Sequence, residues 1–245
     1  MRWTTRLKAF FRTPRYPLFL LLAFAVWFGL WAIRPSHPQD FFLEHILTVA
    51  AVGTLVWTRR WLPLSHLSYT LLFIFLALHV IGAHYTYAEV PYEAWARQVA
   101  GWLGVEGFDL RAACGFTRNH YDRLIHFAFG LLCAYPVREL FVRVARVRGF
   151  WSYYFPFDVA MSLSMLYELL EWAVAVIVAG DVGQSYLGTQ GDEWDAHKDM
   201  ALATLGALIA IAATACCHWR LRRDFAAEMA DSLKVHDPRP LEEGR

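Results

Sequence analysis

Three pairs of ionisable residues recur at helical spacing: Asp122 and His126 at i, i+4, Glu168 and Glu171 at i, i+3, and Asp195 and Asp199 at i, i+4, with Asp192 just before the last pair. Residues three or four apart share one helix face, so each pair offers two side chains to one neighbour. An Asp one turn from a His orients the imidazole. Carboxylates and His contributed by several helices build divalent-metal sites inside bundles. The same parts also make a proton relay or an acid–base pair. On this reading Asp122, His126, Glu168 and Glu171 are the candidate catalytic groups. Asp195, Asp199, Glu168 and His126 are the candidate ligands of a divalent metal whose identity stays open. His84, Arg123, Asp192, His79 and Glu44 are candidate further members of one polar site.

Each of these residues also has a structural explanation. Asp192 and Asp195 resemble the acids that cap a helix N-terminus, where the macrodipole favours negative charge, and Asp122 stands at a similar position in its own segment. Arg123 with one acid makes an ion pair that fixes helix packing. His45, His79 and His84, taken singly, suit interhelical hydrogen bonds. Capping does not account for Glu168 and Glu171, which fall in mid-helix.

The elements that must position these groups are membrane helices. Of the 245 residues, 57% are hydrophobic and only 18% charged, with 11 Trp, 11 Tyr and 18 Phe; mean hydropathy is +0.31. That is too apolar for a soluble surface and too aromatic for disorder. A net charge of +1 gives no basis for a nucleic-acid partner. A hydrocarbon core roughly 30 Å thick takes about 20 apolar residues of helix. Six windows qualify: 17–33, 40–57, 67–84, 122–141, 155–180 and 196–219. The expected fold is therefore all-α, a polytopic six-helix transmembrane bundle forming a single domain over 1–219, with a tail at 220–245. A basic segment precedes the first window, but Arg34-Pro35-Ser36-His37-Pro38 after it has no small-residue cleavage pattern, so an uncleaved span is expected.

Basic residues set the expected orientation. The first segment carries Arg2, Arg6, Lys8, Arg12 and Arg15, the 58–66 loop Arg59 and Arg60, the 142–154 loop Arg143, Arg146 and Arg148, and the tail six more. The alternate loops hold only Arg34, Arg97, Arg111 and Arg118. By the positive-inside rule both termini are cytoplasmic. With that orientation Glu44 and His45, His79 and His84, Asp122 and His126, and Asp195 and Asp199 all fall in the outer halves of their spans. Glu168 and Glu171, roughly 20 and 24 Å along the fifth span, join them. Charges inside a bilayer are costly and demand a reason. Five spans bringing carboxylates or imidazoles to one depth is the most informative pattern in the chain.

The remaining features are quieter. Cys133, Cys216 and Cys217 fall in spans or near the inner face and Cys114 outside, with no CxxC spacing, so neither a structural disulfide nor a zinc knuckle is expected. Trp95, Val99, Trp102 and Leu103 give one apolar face to a helix over 92–104 in the outer loop 85–120, which suits an interfacial helix or a packed loop helix. A short helix is expected over 220–235. The chain has no internal repeat and no phosphate-binding glycine loop.

The same segments carry a family resemblance. Gly82-Ala83-His84-Tyr85-Thr86-Tyr87, Asn119-His120-Tyr121-Asp122-Arg123-Leu124-Ile125-His126-Phe127, Tyr167-Glu168-Leu169-Leu170-Glu171-Trp172 and the stretch from Leu187-Gly188-Thr189-Gln190-Gly191-Asp192 to Met200 resemble the YjdF family of bacterial inner membrane proteins. The resemblance implies a multi-pass inner membrane protein of unassigned function. A shorter pattern, Asp122-Arg123-Leu124-Ile125-His126 with Glu168 and Asp195 or Asp199, is similar to VanZ-like membrane proteins, which implies a link to the cell envelope. The Gly-Thr-Gln-Gly-Asp stretch and the second glutamate, Glu171, depart from that pattern.

Three functions fit these observations. One is a metal-dependent enzyme, open to the outer leaflet, acting on a lipid or a lipid-linked envelope precursor. A second is a proton-coupled transporter, which the sparse inner half disfavours. The third is a non-catalytic membrane module whose polar cluster fixes helix packing.

Overall fold

A computed structural model describes residues 15–178, 189–221 and 224. The expected helix over 220–235, the arginines before Arg15 and the end of the fifth window lie largely or wholly outside the described residues. Eight described helices follow in order: α1 Tyr16–Trp31, α2 Pro38–Thr58, α3 His66–His84, α4 Tyr92–Trp102, α5 Leu110–Cys114, α6 Tyr121–Arg143, α7 Trp151–Val178 and α8 Asp195–Leu221. Five of them, α2, α3, α6, α7 and α8, are long and apolar enough to cross a membrane. α1 is the shorter sixth apolar helix: its 16 residues span about 24 Å. It ends before the 17–33 window does, because Arg34 takes a left-handed φ of 53° ahead of Pro35 and because α2 starts afresh at Pro38.

Local chemistry fixes several helix ends. Ser65 caps α3 by accepting the Ser68 amide, and Asp109 caps α5 by accepting the Ala112 amide at 3.1 Å. After α3 the chain turns back sharply. Thr86 and Tyr87 both hold φ near 55°, and the Tyr85 and Tyr87 amides donate to the Gly82 carbonyl. Gly82 leaves the space for this turn, since a Cβ there would stand 2.3 Å from the Tyr87 ring.

The packing centre is the pair α6 and α8. A Cβ at Gly130 would come 1.9 Å from the Ala203 carbonyl oxygen, and one at Gly206 would come 2.2 Å from that of Phe127. The two backbones therefore touch, as small residues allow in membrane bundles. Ala134, Ala160, Ala207, Ala210 and Ile211 continue the contact and bring in α7. α3 packs on α6, while α1 and α2 each lean on α3.

Both ends of the bundle are tied. At one end Glu139, fully buried, accepts from the Ser65 amide (2.7 Å), the Ser65 and Ser68 hydroxyls (2.6 and 2.5 Å) and Arg143 (2.5 Å). Arg143 also donates to the Pro63 carbonyl. Beside it Arg138 reaches Asp224 at 2.5 Å and Ser152 at 3.2 Å and covers the Tyr153 ring at 4.4 Å. At the other end Asn119 donates to the Val90 carbonyl and accepts, through its own carbonyl, the Gln190 side-chain amide. α4 turns Trp95 inward against Tyr85 and leaves Val99, Trp102 and Leu103 exposed.

Two measurements test this packing. Gly206→Val drives a side chain into the α6 backbone and lowers stability by about 1–3 kcal/mol or more, whereas Gly53→Ala on α2, where nothing lies within 4 Å, leaves it unchanged or slightly raised. Thermal unfolding in detergent compares the two. Glu139→Ala strands the Arg143 charge and the serine donors, and a loss of about 3–5 kcal/mol is expected in the same assay.

Candidate functional site

The register of the α6–α8 contact extends toward the start of both helices. Asp122, His126, Gly130 and Ala134 run in steps of four along α6, as do Asp195, Asp199, Ala203 and Ala207 along α8. The glycine and alanines make the close approach, and one turn before it the polar residues meet. One donor atom each from Asp122, His126 and Asp199 lies within 4.8 Å of the others. α7 adds Glu168, whose Oε1 stands 3.3 Å from His126 Nε2, with Asp122 Oδ1 at 3.7 Å from the same nitrogen.

This group is buried yet incompletely bonded. Asp199 is 2% exposed and His126 6%. Neither Asp199 Oδ1 nor Glu168 Oε1 accepts a hydrogen bond from another protein group. Buried acceptors are ordinarily satisfied, and carboxylate oxygens gathered around an imidazole nitrogen with spare lone pairs are what a divalent cation takes as ligands. Glu171 stands nearly one turn beyond Glu168 on α7.

A second polar group adjoins the first from α2, α3 and the turn after α3. Glu44 accepts the Tyr167 hydroxyl at 2.7 Å, which links α2 to α7. The Tyr87 hydroxyl lies between His79 Nδ1 at 2.7 Å and the Glu44 carboxylate at 3.2 Å. His79 Nε2 donates to the Glu44 carbonyl at 3.3 Å, so its Nδ1 is the acceptor for Tyr87 when the ring is neutral. Burial, then the nearby Glu44 and Asp122, push the Tyr87 phenol well above its ordinary range.

Cations close the loop side. Arg118 Nη2 stands 2.7 Å from Asp195 Oδ1. Arg123 reaches Asp192 at 2.5 Å and Asp195 at 3.4 Å, and Lys198 meets Asp192 at 2.6 Å. Lys198, followed by the Trp194 amide, holds the Asp192 carboxyl down at about 2. Burial, then Arg123 and Arg118, lower His120. Arg118 also donates to the Thr189 carbonyl, so this clasp fastens the segment before α8 onto the start of α6.

Asp122 and His126 of the first group, with the second group, border a cavity of about 400 Å³. Glu44, His79, Tyr87, Asp122, His126 and Tyr167 line it, and beyond them Leu47, Phe75, Phe129, Leu163, Leu166 and Leu170 make an apolar chamber. Leu47, Leu163, Leu166 and Leu170 are also exposed on the outside of the bundle. α2 and α7 barely pack together, so the chamber reaches the lateral surface between them.

The residues singled out from the sequence thus divide. Asp122, His126, Glu168 and Asp199 meet; Glu171 adjoins them; Glu44 and His79 form the neighbouring group. Asp195, a candidate ligand, is held by Arg118 and Arg123, and Asp192 belongs to the same clasp. His84 faces elsewhere and donates through Nδ1 to the Trp31 carbonyl at 2.7 Å. Asp192 also accepts the Trp194 amide, two residues on, a turn contact just before α8. Sequence reasoning passed over Tyr87, Tyr167 and Arg118. Tyr167 directly precedes Glu168, but that neighbours in sequence would serve different helices is not visible from spacing.

Comparison with known proteins agrees with a membrane assignment. The inner membrane protein YjdF of Escherichia coli (strain K12) is 38% identical over 194 residues, covering 79% of this chain and 86% of that protein. No solved structure matches the chain. The profile of the DUF2238 family of predicted membrane proteins matches residues 16–220. With the apolar helices and the relative agreeing along most of its length, this chain belongs to the DUF2238 family of predicted membrane proteins.

Proposed function

We propose that the chain is an inner membrane protein with both termini cytoplasmic, and that Asp122, His126, Glu168 and Asp199 hold one divalent cation for chemistry on a lipid or lipid-linked envelope precursor. The observation that carries this reading is the unbonded Asp199 oxygen, buried beside His126 and Asp122. A buried carboxylate kept only for packing would be expected to find a donor. One imidazole with carboxylates and no thiolate suits Zn²⁺ or Mn²⁺. Such an ion would polarise a carbonyl or phosphoryl oxygen or activate a water, with Glu168 or Glu171 near enough to exchange a proton.

The cavity supports a lipidic substrate. Its chamber is leucine- and phenylalanine-lined, reaches the side of the bundle, and ends at the carboxylate–His group. A ligand with a hydrocarbon tail and a polar head matches that division. Orientation follows from charge: Arg59, Arg60 and Arg143 share the end tied by Glu139, which the positive-inside rule assigns to the cytoplasm. The polar group lies toward the opposite end, at the outer leaflet.

Metal analysis of the detergent-purified chain tests the proposal. After equilibration with Zn²⁺ or Mn²⁺, near-stoichiometric binding is expected in the unaltered protein. Asp199→Asn and His126→Ala are expected to weaken it by at least about 10–100-fold, the loss that even an outer-shell change produces. Binding no greater than background, or binding that both variants retain in full, contradicts it.

A further inference from the structure

A second cavity, about 480 Å³, lies between α1, α2 and α3 and shares only the wall residue Leu76 with the one above. Its origin is topological. α1 and α2 both pack on α3 but hardly on each other, which leaves a cleft between them. At one end the cleft is shut by Phe28, whose ring stands 5.9 Å from Phe41 and 4.8 Å from His45. At the other end α1 begins at Tyr16–Pro17 and α2 runs out into Arg59 and Arg60, both of which line the cavity. Leu21, Phe24, Val52, Leu55 and Leu76 form the walls between. Leu18 and Val56, also on the lining, are exposed at the lip.

We propose that this wedge is a binding site for one anionic phospholipid of the arginine-side leaflet, its phosphate against Arg59 and Arg60 and an acyl chain running between α1 and α2 toward Phe24. Charge and shape support the same occupant. The walls are hydrocarbon, so an acyl chain fills them without an unsatisfied polar group. The guanidiniums of Arg59 and Arg60 at that end favour phosphate bearing net negative charge, and the closed end stops the chain below the Phe28 contact. A zwitterionic lipid places an ammonium near the same arginines and gains less. The site is separate from the carboxylate–His group, and its test is independent of metal binding.

Native mass spectrometry of the full chain, delipidated in mild detergent and offered equal phosphatidylglycerol and phosphatidylethanolamine, reads the bound lipid directly. The unaltered protein is expected to retain phosphatidylglycerol about tenfold over phosphatidylethanolamine, the order expected from two cations at a membrane surface. Arg59→Gln/Arg60→Gln is expected to abolish that preference, and Val52→Trp, which fills the cleft while leaving both arginines, to remove the retained lipid. Equal retention of the two lipids by the unaltered protein overturns the proposal. So does a preference that survives both Arg59→Gln/Arg60→Gln and Val52→Trp. If the double variant does not fold, the headgroup ratio of the unaltered chain together with Val52→Trp decides the matter.

Discussion

The rest of the structure depends on how closely α6 and α8 approach. Gly130 and Gly206 each face the partner helix's backbone with no room for a Cβ, and Ala134, Ala203 and Ala207 keep the seam narrow. In a bilayer, apolar burial gives helices little reason to associate, so close van der Waals contact between backbones carries much of the work. The contact also fixes a register. Because side chains four apart stack on one face, small residues at 130 and 203 carry His126 and Asp199 to each other one turn earlier. Asp122 and Asp195 follow one turn beyond. The polar group is thus the continuation of a packing stripe.

That origin explains why costly groups gather there. Each carboxylate drawn into an apolar bundle needs a compensating partner, and the bundle supplies two kinds. Asp192 and Asp195 are matched by Arg118, Arg123 and Lys198, and Glu139 and Arg143 match one another. Glu44 receives the Tyr167 hydroxyl. Asp199 is the contrast, retaining a buried oxygen with no hydrogen-bond donor, while Glu168 Oε1 faces His126 Nε2 at 3.3 Å. Ion pairs and hydrogen bonds stabilise the two ends of the bundle; Asp199 lies beside Asp122 and His126, which line the cavity. The division separates groups that hold the fold from groups available to a ligand.

Much of this was legible in the residues. Spacing alone pairs Asp122 with His126, and apolar length alone identifies the membrane character; that Asp195 faces Arg118 and Arg123 rather than joining Asp199 is not visible from spacing. Other features depend on contacts that spacing does not encode. Arg118 reads as an ordinary loop charge until Thr189 and Asp195 are brought beside it, across 71 and 77 positions of chain. Tyr87 reaches His79 because Thr86 and Tyr87 adopt left-handed φ and Gly82 has no side chain, a combination of backbone choices with no hydropathy signature. The cleft between α1 and α2 is equally silent, since both helices are apolar whether they touch each other or only α3.

The most direct measurement is the X-ray absorption spectrum of the zinc-loaded protein, because it reports the ligands themselves. A first shell of oxygen with one imidazole nitrogen at about 2.0–2.1 Å is expected, with loss of the imidazole scattering in His126→Ala. A sulfur-containing shell, or a shell with imidazole scattering unchanged by His126→Ala, contradicts it.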